Sequence, residues 1–398
     1  MHKENNKERL HVLYLPRWYP HKYDPMHGLF IERHGIAASA YCNVSVLYVH
    51  PDENLKDQKF HIDESWKNKL PAIRIYYKNI NTGIIPLDKL INIYRFFSFN
   101  QKGIRIIRRK YGKPDVIHVH VLTRHGLIAL LYKIFYHIPY VITEHWTRYL
   151  PSVNTFKGLF RKVLTRIVIK HASAVMPVTE NLKNAMVMHG LRNKNYVVIP
   201  NVVNMEMFQP AAPKETRDIK RIIHISCFDN NQKNISGILR VIQKLSAERQ
   251  DFCCDMIGEG IDFEWLIGYG KELDIKDRFV FFHGLKENEA LADMIKQSDF
   301  MVMFSNYENL PVVLLESYAS GIPVISTDVG GIKEHLNKNL GILIRPNDEE
   351  QLYSGIKKML DNNKQYEKTR IRQYAEEHFS NEVIGKRLFL VYQQAKQA

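Results

Sequence analysis

Short apolar segments alternate with longer segments of helical period along most of the chain. The short segments are rich in Val and Ile, which is typical of strands buried on both faces, and the longer ones repeat their apolar residues as helices do. Such alternation predicts a parallel sheet with right-handed crossovers. The predicted strands of the first half are HVLYLP (11–16), NVSVLYVH (43–50), AIRIYYK (72–78), DVIHVH (115–120), PYVITEH (139–145), AVMPVT (174–179) and, closing the series, NYVVIPN (195–201).

A segment rich in Pro and Ala, MEMFQPAAPKETRD (205–218), interrupts the alternation and is the predicted linker. Because ligands of open parallel sheets bind beyond the carboxyl ends of the strands, two such series predict two doubly wound domains with the site in the cleft between them. The chain of 398 residues is long enough for both. The predicted strands beyond the linker are RIIHISCF (221–228), FCCDMIG (252–258), RFVFFHG (278–284), FMVMFS (300–305), IPVIST (322–327) and GILIRP (341–346).

The formal charge of +14 is unevenly distributed. A first basic cluster lies between Trp66 and Lys113, opposed only by Asp88, and a second lies between residues 157 and 170. Basic residues mixed with aromatics fit an anionic membrane surface, whereas a solvated basic face with inward aromatics is the alternative, and a nucleic-acid partner is a remoter one. The residues are Lys67, Lys69, Arg74, Lys78, Lys89, Arg95, Lys102, Arg105, Arg108, Arg109, Lys110 and Lys113 with the aromatics Tyr94, Phe96, Phe97 and Phe99, and then Lys157, Arg161, Lys162, Arg166 and Lys170.

Signals for export, membrane insertion and metal binding are missing from the sequence. The first residues are polar, and the most apolar region, 125–142, is interrupted by Lys133, His137 and Pro139. There is no Asp-x-Asp motif and no group of Cys and His at ligand spacing. We therefore expect reduced thiols and a cytoplasmic location, with peripheral attachment to the inner membrane face as a further expectation. The cysteines are Cys42, Cys227, Cys253 and Cys254.

Two glutamates, Glu308 and Glu316, flank an apolar helical segment in YENLPVVLLESYASGIPVIS (307–326). Pro311 suits the first turn of the predicted helix, and Asn309 suits its cap. On this helix Glu316, Ser317 and Ser320 form the polar strip, and a buried carboxylate needs a partner. The partner is either a ligand hydroxyl in the cleft or a structural Arg or Lys. The free amides at 309–312 and the helix dipole suit a phosphate group.

The segment around these glutamates resembles the signature of retaining glycosyltransferases of family 4. That signature places two Glu, separated by seven residues, before a Gly-x-Pro-Val strand and a Gly-Gly turn. Other segments resemble the family in the same order along the chain: MHGLFIERHG (26–35), DVIHVH (115–120), VITEH (141–145), IPNVVNMEMFQP (199–210) and MIGEGIDFEWLIGYGKELDIKDRFVFFHGL (256–285).

The resemblance implies the GT-B fold: an α/β protein with two Rossmann-like, doubly wound domains facing a central cleft. Residues 1–204 would bind the acceptor and residues 205–380 the nucleotide sugar. A helix at 381–398 would pack back on the N-terminal domain.

In the C-terminal domain, the resemblance assigns Glu316 to the ribose hydroxyls of the nucleotide and Glu308 to hydroxyls of the donor sugar. The amides around Asn309 and Leu310 would face the diphosphate or the sugar. Lys233, in SCFDNNQKN, matches the family lysine that binds the leaving diphosphate, but the usual arginine is replaced near Cys227. The loop also differs from the commoner Gly-Phe-Gly sequence.

In the N-terminal domain, the resemblance assigns three further residues. Gly28 would let the backbone approach the diphosphate, because glycine has no Cβ. His120 would lie beside the transferred sugar, with His145 as a second candidate. His118 shares the strand face of His120 at a deeper position, and we interpret it as structural.

The resemblance implies transfer of a hexosyl or related sugar from a nucleoside diphosphate to a glycan or lipid-linked acceptor, with retained anomeric configuration and without a metal or other cofactor. Synthesis of surface polysaccharide, lipopolysaccharide or glycolipid is the expected setting. Two alternatives remain open on the sequence. One is another GT-B enzyme, a sugar phosphorylase or a nucleotide-sugar epimerase, and the other is a basic module that binds glycan or nucleic acid without turnover.

Overall fold

A computed structural model describes residues 9–55, 58–67, 70–122, 124–212 and 218–397. The first eight residues, Lys69 of the first basic cluster and residues 213–217 of the predicted linker lie outside this part of the chain. The described residues form two α/β units, each built on its own sheet. The predicted α/β class with two Rossmann-like units is therefore confirmed.

The N-terminal unit contains a sheet of seven strands. The strands are β1 (His11–Pro16), β2 (Asn43–Pro51), β3 (Phe60–Lys67), β4 (Leu70–Tyr77), β5 (Val116–His120), β6 (Tyr140–Glu144) and β7 (Ala174–Pro177). The helices are α1 (Leu29–Ser39), α2 (Ile85–Tyr111), α3 (Arg124–Tyr136), α4 (Leu159–His171) and α5 (Glu180–Met188), with a 3-10 turn at Thr147–Tyr149. The strand order is β3-β4-β2-β1-β5-β6-β7, and every pairing is parallel except that of β3 with β4.

Two features of this sheet differ from the prediction. The edge strand β3 was not predicted, because it is only half buried and carries charged residues, so it lacks a continuous apolar run. The predicted strand at 195–201 is not a full strand. It lies alongside β7, where the amides of Val197 and Ile199 donate to the carbonyls of Val175 and Pro177.

The C-terminal unit contains a six-stranded, wholly parallel sheet. The strands are β8 (Lys220–Ile225), β9 (Phe252–Ile257), β10 (Val280–Phe282), β11 (Phe300–Met303), β12 (Val324–Thr327) and β13 (Gly341–Ile344). The helices are α6 (Asn230–Lys233), α7 (Ile235–Ser246), α8 (Phe263–Glu272), α9 (Asn288–Gln297), α10 (Val312–Ala319), α11 (Glu349–Asn362), α12 (Lys368–Phe379) and α13 (Asn381–Gln397), with 3-10 turns at Ile332–Glu334 and Asn363–Gln365. The strand order is β10-β9-β8-β11-β12-β13.

The last helix, α13, returns to the N-terminal unit and packs on α1. The approach is close, since a Cβ on Gly385 would lie 2.2 Å from the carbonyl oxygen of Ala37. The chain crosses between the units twice, and the two crossings touch, because the amide of Val203 donates to the carbonyl of Phe379 over 3.0 Å. The crossings therefore lie side by side.

The aromatics of the first basic cluster mostly turn inward. Phe96 is buried, Phe97 and Phe99 pack partly against the core, and Tyr94 is exposed. The sequence left these four rings either at a membrane surface or turned toward the core, and the three phenylalanines turn toward the core. No helix in the described ranges has both the length and the apolar character needed to cross a bilayer.

Candidate active site

Residues that follow strand ends in the two units contact one another across a cleft. Asn309, beyond β11, accepts a hydrogen bond from the Thr179 hydroxyl and donates one to the His145 carbonyl, each over 2.9 Å. The Leu310 carbonyl accepts a hydrogen bond from the side-chain amide of Asn201 over 2.8 Å. The predicted cap role of Asn309 is wrong, because its side chain is committed to the other unit, and α10 begins after Pro311 without a side-chain cap. The predicted cleft is thus lined by both units.

Glu316 is buried in α10 and forms an ion pair across the cleft. The Arg33 guanidinium, on α1, donates to Glu316 Oε1 over 2.7 Å. Ser317 of the predicted polar strip bonds within its own unit instead, since its hydroxyl donates to the Ile322 carbonyl. Of the two partners predicted for this carboxylate, the structure therefore holds the arginine.

Glu308 and Lys233 form a second buried ion pair at the carboxyl edge of the C-terminal sheet. Their Nζ and Oε1 atoms are 2.5 Å apart, and the Ser305 hydroxyl donates to the same oxygen over 2.8 Å. Burial disfavours the charge on Lys233, but the neighbouring Glu308 carboxylate outweighs it and raises the lysine pKa above its ordinary value. The two residues predicted to handle the sugar and the diphosphate thus lie in direct contact.

Three histidines from the N-terminal unit lie together on the opposite wall. His120 ends β5, His145 follows β6, and His34 lies on α1. The Nδ1 atom of His120 is 3.5 Å from Nε2 of His145, and one ring nitrogen from each of the three lies within 4.8 Å of the others. The fold therefore assembles a histidine group that sequence spacing did not show. Its geometry could hold a metal ion, so the reaction without metal stays a prediction.

Burial keeps these histidines uncharged. Desolvation lowers the pKa of His34 to about 4 and the pKa values of His120 and His145 well below 6.5. Neutral imidazoles hydrogen-bond to hydroxyl groups without adding charge. The Nε2 atom of His120 is buried and has no hydrogen-bond partner among the described residues, so it is available to a ligand.

His118 lies two residues before His120 on β5 and connects this strand to the returning helix α13. Its Nδ1 lies 2.8 Å from the Tyr392 hydroxyl, and its Nε2 lies 2.7 Å from the Thr143 hydroxyl. The Tyr392 hydroxyl also bonds to that of Tyr14 over 2.7 Å. Both ring nitrogens of His118 are therefore used inside the protein, as a structural histidine requires.

Gly28 has a structural reason to be glycine. Its φ angle is +71°, and a Cβ there would lie 2.5 Å from the backbone carbonyl of Trp18. The loop before α1 therefore packs on the segment that follows β1 only if residue 28 lacks a side chain. The role of Gly28 near a diphosphate stays a prediction.

Sequence reasoning missed residues that act through contacts across the fold. Arg33 and His34 lie within the quoted segment 26–35, but only the packing of α1 against the cleft brings them to Glu316 and to the other histidines. Glu144 is fully buried, and its oxygens accept from the amides of Leu122, His145 and Trp146. A carboxylate at the last position of a buried strand was the available signal for Glu144.

The paired sheets, with both carboxyl edges facing one cleft, define a GT-B protein. Solved structures agree: a sucrose-phosphate synthase from Thermosynechococcus elongatus superposes with a TM-score of 0.75 at 18% identity, over 97% of this chain and 98% of that one. The Anabaena HepE structure with UDP and glucose superposes with a TM-score of 0.68 at 13% identity, over 95% of this chain and 98% of that one.

Two family models match adjoining parts of the sequence. The model described as Glycosyltransferase Family 4 matches residues 37–207, and the model described as Glycosyl transferases group 1 matches residues 209–378. The chain therefore belongs to the group 1 and family 4 glycosyltransferases, and the predicted family is confirmed.

Curated relatives cover part of the chain. The N-acetyl-alpha-D-glucosaminyl L-malate synthase of Bacillus anthracis is 30% identical over 55% of this chain and 58% of its own length. The lipopolysaccharide 1,6-galactosyltransferase of Escherichia coli is 28% identical over 45% of this chain and 52% of its own. The chain thus spans little more than half of these relatives.

The neutral histidines predict a loss of stability in mild acid. The folded protein keeps His34, His118, His120 and His145 neutral, whereas the unfolded chain protonates them near pH 6.5. Unfolding therefore takes up protons below pH 6.5, and each such histidine lowers the free energy of unfolding by up to about 1.4 kcal/mol per pH unit. Urea unfolding from pH 8 to pH 5 measures this slope.

Matched histidine variants test the cause of that slope. His118→Asn should reduce the pH slope of the free energy of unfolding by an amount that corresponds to about one proton, because the buried ring is gone. His137→Asn should leave it unchanged, since His137 is exposed and asparagine tolerates its positive φ of 52°. Equal slopes for wild type and His118→Asn would contradict the assignment.

Proposed function

We propose that the protein is a retaining glycosyltransferase that moves a sugar from a nucleoside diphosphate to an acceptor hydroxyl. The observation that carries the proposal is the contact of Lys233 with Glu308 at the carboxyl edge of the C-terminal sheet, where the adjacent Asn309 bonds across the cleft to His145. A cation for a leaving diphosphate and a carboxylate for sugar hydroxyls are thus adjacent. Family membership supports the same reaction class.

The donor would occupy the C-terminal wall of the cleft. Glu316 would accept hydrogen bonds from the ribose hydroxyls, and Lys233 would bind the diphosphate, as the resemblance to family 4 glycosyltransferases implies. Because Arg33 now holds Glu316, the nucleotide must displace or share that ion pair. The Glu308 carboxylate would then receive hydroxyls of the donor sugar.

The proposed chemistry needs no protein nucleophile. The acceptor oxygen forms a bond to the anomeric carbon on the face from which the diphosphate departs. The bond between that carbon and the phosphate oxygen breaks, and its electron pair leaves with the diphosphate. A diphosphate oxygen takes the acceptor proton. The protein contributes position and charge stabilisation: Lys233 offsets the charge of the leaving group, and neutral His120 donates or accepts one hydrogen bond with the sugar.

The acceptor would meet the N-terminal unit at the membrane surface, in synthesis of polysaccharide, lipopolysaccharide or glycolipid. Support comes from exposed apolar side chains at the start of α2 and in the first turns of α4, and from one in the last turn of α3, which packs beside α4. Basic residues of the second cluster lie among those on α4. Apolar groups with flanking cations fit an anionic interface. The exposed residues are Ile84, Ile85, Leu90, Phe135, Leu159, Phe160 and Val163.

Lys233→Ala should weaken binding of a nucleoside diphosphate roughly 10- to 100-fold, the effect of losing one hydrogen bond to a charged group. Calorimetric titration of UDP and GDP measures the change. Lys338→Ala, at an exposed lysine of the same unit, is the matched control and should bind as wild type does. An unchanged dissociation constant in folded Lys233→Ala would remove that lysine from the diphosphate site.

Glu308→Gln should lower kcat roughly 10²- to 10³-fold, because a neutral amide replaces a preorganised charge near the reacting sugar. Glu289→Gln, in the first turn of α9, is the control with wild-type activity expected. Proton NMR of the product reads out both rate and anomeric configuration. An inverted product excludes the retaining mechanism, and a wild-type rate in Glu308→Gln excludes this carboxylate from the site.

Vesicle sedimentation tests the membrane contact. We expect binding to vesicles containing anionic lipid, release by salt, and a marked loss of binding in Leu159→Ser/Phe160→Ser, since both side chains lose apolar area at the interface. Ile261→Ser, at an exposed apolar residue of the C-terminal unit, should bind normally. Absence of binding, or an equal loss in both variants, refutes this surface.

A further inference from the structure

Four arginines lie near the carboxyl edge of the N-terminal sheet, and three of them have no role so far. Arg17 follows β1, Arg124 begins α3 after β5, and Arg148 lies in the turn after β6. Since β1, β5 and β6 are neighbours in the sheet, these three positions lie along one stretch of its edge. Arg161, in the first turns of α4, is the fourth member of this arginine cluster.

Trp146 brings two of the guanidinium groups together. The Cζ atom of Arg17 lies 4.4 Å from the indole centroid, and that of Arg148 lies 3.8 Å from it. Partial burial and the charge of Arg148 lower the pKa of Arg17, Glu144 opposes them, and Arg124 and Arg161 lower it further, so all four cations act on the same region. The cluster is therefore a concentrated positive site.

The positive charge of the cluster is left largely unpaired. In the described part of the chain, none of the four guanidinium groups forms an ion pair. The nearest acid, Glu144, is buried and already accepts hydrogen bonds from three backbone amides. The Nε of Arg148 is itself buried and has no hydrogen-bond partner among these residues. A buried donor without a partner is costly unless a ligand satisfies it.

We propose that the arginine cluster binds a phosphoryl group carried by the acceptor. The proposal rests on the glycosyltransferase function above and specifies its acceptor. Guanidinium forks match phosphate and carboxylate oxygens equally well in shape. Four cations against one occupied carboxylate favour the group with the larger charge, and a phosphate ester carries about −1.5 to −2 at neutral pH, whereas a carboxylate carries one charge.

The cluster adjoins the reacting centre but lies apart from the proposed donor site. The Arg17 amide donates to the His120 carbonyl over 3.0 Å, and Trp146 directly follows His145. Lys233 and Glu316, in contrast, belong to the C-terminal wall. A phosphoryl group held by the cluster would therefore place the attached sugar or lipid headgroup beside the histidines, where its hydroxyl meets the donor.

The test uses the full chain and inorganic pyrophosphate as the probe. UDP or GDP, whichever binds, first saturates the donor site, and pyrophosphate is then titrated by calorimetry. We expect the dissociation constant to rise at least tenfold in Arg17→Gln/Arg124→Gln, two exposed positions. The matched control, Arg105→Gln/Arg109→Gln, removes the same charge from exposed residues of α2 and should change it less than twofold. Equal effects in the two variants overturn the site.

The same variants separate the site from the donor function. Nucleotide affinity should be unchanged in Arg17→Gln/Arg124→Gln, and a loss of it would reassign the arginines to the donor and overturn the proposal. If neither nucleotide binds, the donor assignment fails, but pyrophosphate binding to Lys233→Ala still tests the cluster.

Acceptor kinetics identify the source of the phosphoryl group. Alkyl glycosides, sugar phosphates and short-chain lipid-linked sugar diphosphates are compared as acceptors. We expect the variant to raise KM for a phosphorylated acceptor at unchanged KM for the donor. A preference for the lipid-linked compound assigns the group to a lipid carrier, and a preference for the sugar phosphate assigns it to a soluble acceptor. Equal KM values of wild type and variant for the phosphorylated acceptors contradict the proposal.

Discussion

Each buried carboxylate of the cleft has a partner, and the arrangement of the cleft depends on this requirement. An isolated carboxylate in a dry interior would cost several kcal/mol or take up a proton. Glu144 is held by backbone amides, Glu308 by Lys233, and Glu316 by Arg33 from the other unit. These bonds fix the turn after β6, the loop after β11 and the seating of α1 against α10. The groups proposed to bind substrate are therefore held in place before any ligand arrives.

The two walls of the cleft differ in electrostatic character. Each acid of the C-terminal wall has a cationic partner, Glu308 in Lys233 of the same wall and Glu316 in Arg33 of the opposite one, so a diphosphate would find one lysine whose countercharge is already in contact. The N-terminal wall has a neutral centre of histidines bordered by unpaired arginines. A neutral centre suits sugar hydroxyls, and a basic border suits an anionic tail. The charge pattern thus separates the reacting hydroxyl from the group that anchors it.

The sequence predicts most of the fold because parallel strands buried on both faces leave an unambiguous apolar signal. Glu308 could also be singled out from the sequence, since it follows a predicted strand, and Lys233 could be singled out from the family resemblance. The features that the sequence predictions missed or got wrong mostly depend on strand order or on contacts between the two units. Asn309 suits a helix cap by residue type, but its side chain bonds to Thr179. The arginine cluster exists only because β5 lies between β1 and β6 in the sheet, and periodicity does not reveal strand order. The half-exposed strand β3 lacks the apolar run that such predictions require.

The adjacent chain crossings at Val203 and Phe379 have a mechanical consequence. Two covalent connections far apart would resist rotation of one unit against the other, whereas two that touch allow rotation about a line through both. Such a rotation stretches neither connection and changes the cleft width most at the end farthest from them. With α13 fastened to β5 through Tyr392 and His118, the C-terminal end of the chain moves with the N-terminal unit. The position of the crossings therefore favours a hinge rotation of the two units about an axis at Val203 and Phe379, which changes the width of the cleft.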